Sequence, residues 1–447
     1  MKGHPPDLFI STAHGSEIFF EVIQMFEYNN DPALAYIFGF SHSGKPVRDL
    51  GRSRVLLKAL GDPQDRLRFV HIAGTNGKGS TARMFDGVFV RAGLKTGLFT
   101  SPFIMEYADR IQVNDKNIPA EDLGRLAEKV RRAVNSLPEE LGFSQFEITQ
   151  AIAFLYFEEQ GCDIVVLETG LGGLLDCTNV ITTPLLTVIT KVDLDHTAIL
   201  GDTIEKIARQ KAGIIKEGVP CVLSAGNRRS VREIVLQKTR ETGSQLVIPD
   251  DRLAEIEEVR LNKTFFTYRG GHFCTSMAGV HQVMNALSVI EGCYVLREHF
   301  DLTDEDISKG IEDAVLHGRT EVLCEKPLTI LDGGHNPDGV RALARVIEGQ
   351  RPCHAVIGMC KDKNLHEALR VLIPHVDSFV TVDGFSDRAE NKEELAALIN
   401  SLGGKAVPAE KTLAEETARL QTENPEGLTL ICGSLYLVTE VLHSNIK

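Results

Sequence analysis

The sequence predicts an α/β protein in which a larger N-terminal domain is built on a mostly parallel sheet and a smaller C-terminal α/β domain follows. Three observations lead there. From Leu67 onward, apolar runs of strand length alternate with stretches of helical periodicity, the pattern of parallel strands joined by crossover helices. That rhythm breaks at TFFTYRGGHFCTSM, residues 264–277, which reads as a hairpin, and resumes after Leu302. The 447 residues and 43% apolar content suit two or three domains with buried cores. A boundary is therefore expected near residues 296–302. It separates residues 1–298, with an N-terminal extension over about residues 1–25, from residues 299–447.

Each element follows from local pattern. RLRFVHIAG reads as a strand, and Met84, Phe85, Val88 and Phe89 then mark one face of a helix that ends near Gly93. DIVVLETG (163–170) and LLTVIT (185–190) are short apolar runs of the kind found in buried strands. The helix over 203–217 opens on Asp202 with Glu205 three residues later, and stops at Gly218 with Pro220 beyond. After the hairpin, TILDGG, HAVIGM, DSFVTV and LTLICG each lead into a helical segment, a Rossmann-like arrangement.

Composition excludes several classes. Nine cysteines are scattered and never form CxxC, which reads as reduced thiols. The N-terminus MKGHPPDLFISTAHGSE lacks a basic region followed by an apolar block, and no window approaches the ~18 apolar residues of a membrane span. The net charge of -14 argues against nucleic acid or anionic membrane as partners. The expectation is a cytoplasmic monomer acting on small molecules, with positive charge concentrated locally for any anionic ligand, Lys78 being one such place.

HIAGTNGKGST, from His71 to Thr81, places three glycines, a lysine and a hydroxyl pair directly after an apolar run. Glycine there packs nothing and costs conformational entropy. Strand, glycine-rich turn and helix bearing Lys then Ser/Thr is the arrangement that cradles phosphates, so the first domain reads as P-loop-type. Gly74, Thr75, Asn76, Gly77, Lys78, Gly79, Ser80 and Thr81 are the candidate phosphate binders. The spacing departs from GxxxxGK[ST], because Gly79 separates Lys78 from Ser80 and Ile72 takes the first glycine position.

The variant GTNGKGST resembles the nucleotide loop of the Mur ligase superfamily, specifically of folylpolyglutamate synthases and dihydrofolate synthases. Further segments resemble that family in the same order: TSPF with DRIQVN, FEIT, ETGLGGLLDCTN, LDHTAILGDTIEKIARQKAGIIK, HQVMNA, HGRTE, LDGGHNPDG and GSLYLV. The resemblance implies an ATP-dependent ligase that joins L-glutamate to the carboxylate of dihydropteroate, of a reduced folate, or of both, through an acyl phosphate. It implies Mg²⁺ held by Ser101, Glu168 and His196, with Ser80 as a further candidate. Lys211 is implied to be carbamylated and catalytic, alongside Lys78 and His335. Asn285, Arg319 and Asp332 are implied on the rest of the ATP site. Phe146, Glu147, Leu175, Asp176 and Cys177 are implied around the pteridine, with Arg52 and Arg54 as possible lining of the same cleft.

Departures from the family pattern are Phe103 for a usual His and Leu174 for a usual Arg, both expected to bear on which folate form is accepted. Two other readings stand beside the leading one. A cell-wall Mur ligase would carry a further domain ahead of the phosphate loop, where about 70 residues leave little room. A GTP-operated switch is raised by TKVD (190–193), which fits [NT]KxD, and by LSAG (223–226). Against it stand the inserted Gly79 and the overlap with LDHT.

Overall fold

The computed structural model describes residues 31–40, 49–444 and 446; the expected extension over residues 1–25 lies outside them. Eight strands form the larger sheet: β1 (Phe69–Ala73), β2 (Thr96–Phe99), β3 (Ile111–Val113), β4 (Lys116–Asn117), β5 (Ile164–Glu168), β6 (Leu186–Ile189), β7 (Cys221–Leu223) and β8 (Leu246–Val247). Their order is β4-β3-β2-β5-β1-β6-β7-β8. The run from β2 to β8 is parallel, and β3 and β4 add an antiparallel edge.

β1 and β5 are buried at every residue because helices cover both faces. Phe69, Val165 and Leu167 point into one apolar cluster, whereas Val70, Ile72 and Val166 point into another, the two-residue alternation of a strand. Met84, Phe85, Val88 and Phe89 join the second cluster from the helix that follows β1, as their spacing predicts. The hairpin at 264–277 is present as β10 (Thr264–Tyr268) and β11 (Gly271–Thr275), with β9 (Ala254–Val259) alongside.

The smaller sheet comprises β12 (Glu321–Glu325), β13 (Leu328–Asp332), β14 (Cys353–Ile357), β15 (Ser378–Thr381), β16 (Ala406–Pro408) and β17 (Leu428–Cys432), in the order β12-β13-β17-β14-β15-β16. All pairs but β12–β13 are parallel.

One expected boundary moves. The helix Asp304–Asp313, assigned above to the second domain, packs on the helix after β1, and its Ile307 and Ile311 complete that helix's apolar cluster. Glycines at the crossing explain how closely the two backbones meet: a Cβ on Gly310 would lie 2.4 Å from the Val88 backbone, and one on Gly87 2.5 Å from the Gly310 carbonyl. We therefore place the division between Ala314 and Glu321, some fifteen residues later than the periodicity indicates. No helix among the described residues is long and apolar enough to cross a membrane.

Candidate active site

The phosphate loop joins β1 to α1 (Lys78–Arg91). Two of its glycines are required by space. A Cβ on Gly74 would fall 1.7 Å from Thr190 Oγ1, whose hydroxyl donates to the Asn76 carbonyl at 2.8 Å. Gly77 has φ +85°, and a Cβ there would meet Asn285 Oδ1 at 2.4 Å. The backbone N–H groups of Thr75 and Asn76 donate to the Lys191 carbonyl at 2.7 and 3.2 Å. Those two therefore brace the loop, and the N–H groups of α1's first turn, which have no partner within the helix, are left for an anion. Thr81 is buried behind the loop and does not line the cavity.

That cavity, about 1110 Å³, runs between the two sheets' lobes and receives residues from both. The carboxylate of Glu168, at the end of β5, is 3% exposed. Its Oε1 lies 3.7 Å from Lys78 Nζ, and its Oε2 accepts from the Ser101 N–H at 3.2 Å. Burial pushes this carboxyl up, and the Lys78 ammonium opposes that shift. Ser80 Oγ accepts from Gln282 Nε2 at 3.3 Å. His196 faces the same cavity at the N-cap of the short helix Thr197–Leu200.

Lys211 lies on α2 (Ile204–Ala212), on its inward face. It is 3% exposed, and Nζ donates to the Gly74 carbonyl at 2.7 Å. Burial, with the Lys78 charge adding to it, holds the amine down at about 7. Asn285 is on α3 (Val280–Leu296), where its Nδ2 donates to Gln282 Oε1 at 2.9 Å. Gln282 is thus a cavity residue that sequence reasoning passed over; its place one turn before Asn285 was the available signal.

From the second lobe come Arg319, Asp332 and His335. Arg319 stands between Gly318 (φ +67°) and Thr320 (φ +50°), a left-handed turn that is strained at a β-branched residue. Asp332 holds the turn, since its carboxylate accepts from Thr320 N–H (2.8 Å), Thr320 Oγ1 (3.1 Å) and Gly334 N–H (2.7 Å). His335 Nδ1 lies 3.0 Å from the Gly333 carbonyl, so that nitrogen carries the proton and Nε2 keeps its lone pair. Burial pushes this imidazole down to about 4, leaving it neutral at pH 7.

At the other end of the cavity, Phe146, Glu147, Leu175, Asp176 and Cys177 are brought together as expected, but their chemistry differs among them. The ring of Phe146 lies over Gly170, where a Cβ would sit 2.6 Å from it, and 5.5 Å from the Phe99 ring. Glu147 does not present a free carboxylate. It accepts from Arg52 Nε (2.8 Å) and Arg52 Nη2 (2.7 Å), from Ser53 Oγ (2.5 Å), and from the Ser144 N–H (3.0 Å) and Oγ (2.8 Å). Such a carboxylate is an anchor for the helix Gly51–Ala59. Glu147→Ala is expected to cost about 3–5 kcal/mol in urea-denaturation experiments, because it removes the carboxylate paired with a largely buried guanidinium; a loss under about 1 kcal/mol refutes the anchor role.

Asp176 likewise accepts from Leu171 N–H (2.7 Å), Thr178 N–H (3.0 Å) and Thr178 Oγ1 (2.5 Å). Of the two arginines, Arg52 lines the cavity; Arg54 is exposed and lies outside it. Leu174 also lies outside the lining, packed on Gly213, whereas Phe103 is in it with the Arg110 guanidinium 5.2 Å above its ring. The TKVD stretch is spent on bracing. The Lys191 carbonyl holds the loop, its Nζ donates to the Gly226 carbonyl at 2.5 Å, and Asp193 exchanges backbone hydrogen bonds with Thr75 Oγ1.

A phosphate loop faces a second α/β lobe across one cavity. Residues 72–292 match the Mur ligase middle domain, and residues 318–435 match the Mur ligase glutamate ligase domain. The dihydrofolate synthase/folylpolyglutamate synthase of Bacillus subtilis is 36% identical over 88% of this chain and 94% of its own length. The crystal structure of Thermotoga maritima folylpolyglutamate synthase superposes with a TM-score of 0.80 at 31% identity, covering 95% of this chain and 99% of that one. That of the Mycobacterium tuberculosis folylpolyglutamate synthase, complexed with ADP and AMPPCP, gives 0.82 at 25% identity over 96% and 99%. The chain belongs to the folylpolyglutamate synthase/dihydrofolate synthase family of Mur ligases.

Proposed function

We propose that this protein is an ATP-dependent ligase that forms an amide bond between L-glutamate and the carboxylate of a folate or dihydropteroate by way of an acyl phosphate. The observation that carries the reading is the cavity of about 1110 Å³ in which a phosphate loop, a buried carboxylate and cations from two lobes converge. The loop's first-turn N–H groups and Lys78 hold the polyphosphate, with Arg319 opposite to meet charge on the transferring phosphoryl group.

Magnesium fits this site by chemistry. Glu168 is a buried carboxylate with one cation 3.7 Å away, and Ser80, Ser101 and His196 complete a mainly oxygen donor set of the kind Mg²⁺ shares with substrate phosphates. Among the described residues no three His, Cys, Asp or Glu side chains form a ready cluster, in keeping with a cation that takes much of its shell from nucleotide and water. When bound, the ion would neutralise charge on the phosphates.

Lys211 is proposed to carry the carbamate. Its amine, held down at about 7, has a large neutral fraction at neutral pH, the form that adds to CO₂. His335, uncharged and lining the cavity, is proposed to accept a hydrogen bond from the incoming glutamate amine and hold it for displacement of phosphate. Dihydropteroate and a reduced folate both remain as acceptors within this proposal, as do a cytoplasmic location and a monomeric state.

The test is phosphate release from ATP and Mg²⁺, run side by side with dihydropteroate and with a tetrahydrofolate monoglutamate. Release is expected only when glutamate and an acceptor are both present, and the preferred acceptor settles which synthase the protein is. Release indifferent to both refutes the reading.

A further inference from the structure

We infer that Asp338 is a positioning residue for nucleotide binding, acting across the lobe boundary through the phosphate-loop residue Asn76. Among the described residues, side-chain hydrogen bonds cross between the lobes at two places, Asn76 and Asp195, both beside the loop. Asn76 Nδ2 donates to Asp338 Oδ2 at 2.8 Å, and its Oδ1 accepts from Asn336 Nδ2 at 3.0 Å. A longer reciprocal contact, Asn76 Nδ2 to Asn336 Oδ1 at 3.4 Å, closes an amide–amide pair. Asn336 is itself fixed, because its Oδ1 caps α4 (Pro337–Val346) by accepting from the Gly339 N–H at 2.8 Å. It is only 5% exposed, so its orientation is set by the fold and not by solvent.

The arrangement has a direction. The loop from Gly74 to Gly77 carries two glycines and would lose much freedom on gripping a phosphate. A capped helix end in the second lobe, tied to the one amide side chain of that loop, restricts it before ligand arrives, which is preorganisation. Hydrogen bonds to an ionised carboxylate are the stronger kind, so Asp338 is the main hold and Asn336 sets the plane of the amide. Arg341, one turn further along α4, lies 3.7 Å from Asp193, and Lys363 lies 3.1 Å from Asp195. These two contacts keep the 190–196 segment, which braces the loop from behind, in register with the same lobe.

The inference rests on the ligase reading, and the experiment separates the two. With wild-type protein and the acceptor it prefers, Asp338→Ala is expected to raise KM for ATP about tenfold, with kcat changed far less and KM for the acceptor unmoved. Asp338→Asn keeps an oxygen able to accept from Asn76 and is expected to bring KM for ATP back to within about threefold of wild type. In a double-mutant cycle, Asn76→Ala and Asp338→Ala are expected to be non-additive, the double variant being little worse than Asn76→Ala alone. An unchanged KM for ATP in Asp338→Ala, additive effects in the cycle, or an Asp338→Asn variant as impaired as alanine overturns the inference. A wild-type protein that turns over no ATP with either acceptor overturns the ligase reading instead.

Discussion

Lys78→Ala is expected to lower kcat/KM for ATP by about 10²–10³-fold while leaving the fold intact. Three consequences follow from removing one ammonium. The phosphate loop loses its cation, and no other lysine side chain replaces it from within the turn. Glu168, 3% exposed, loses the charge that opposes its desolvation, so its carboxyl rises further and the ionised form needed beside a cation becomes scarcer. The third effect has the same sign at Lys211: without the neighbouring charge, its amine moves up from about 7, and less of it is neutral at pH 7. Steady-state phosphate release and an ATP-analogue binding isotherm check the prediction. A variant within about fivefold of wild type in both removes Lys78 from the mechanism.

The second large effect is expected at Lys211. Lys211→Ala should reduce turnover by about 10²–10³-fold, and acetate should restore part of it by supplying the carboxylate a carbamate would provide. Wild-type rates in the variant, or a loss that acetate leaves unchanged, dispose of the carbamate. The same residue sets a pH dependence. At constant dissolved CO₂, activity should climb as pH rises through about 7, because the neutral amine is the reactive form.

Stability of the unmodified protein should follow the same group. The folded amine titrates at about 7 and the unfolded one at about 10.4, so between those values the unfolded chain binds more protons. Unfolding free energy therefore rises with pH across that window and levels off above it. Lys211→Ala should flatten that part of the profile in CO₂-free urea titrations.

Much of the site was legible in the chain because its signals are local. A glycine turn between an apolar run and an amphipathic helix needs no partner to be recognised, and Gly74 and Gly77 prove to be glycines for lack of any room for a Cβ. Other residues escaped because their meaning depends on what they face. Arg52 and Arg54 are two positions apart, roughly 200° around a helix, so only packing decides which one enters the cavity. Glu147 reads as an available carboxylate until Arg52, Ser53 and Ser144 are seen to surround it. The helix Asp304–Asp313 has the spacing to join either domain, and the close glycine crossing at Gly87 and Gly310 assigns it to the first.

The amino-acid order alone determined the alternation of buried strands and helices, the phosphate loop and the family, since periodicity, backbone permissiveness and motif order act over a few residues at a time. Tertiary structure alone decided the state of the groups. Lys211 sits in an ordinary amphipathic stretch, and only its burial against the Gly74 carbonyl makes its amine titrate near 7. Asn76 and Asp338 are 262 residues apart and meet only when two lobes dock. Desolvation and charge pairing depend on distances through space, and no window of sequence contains those distances.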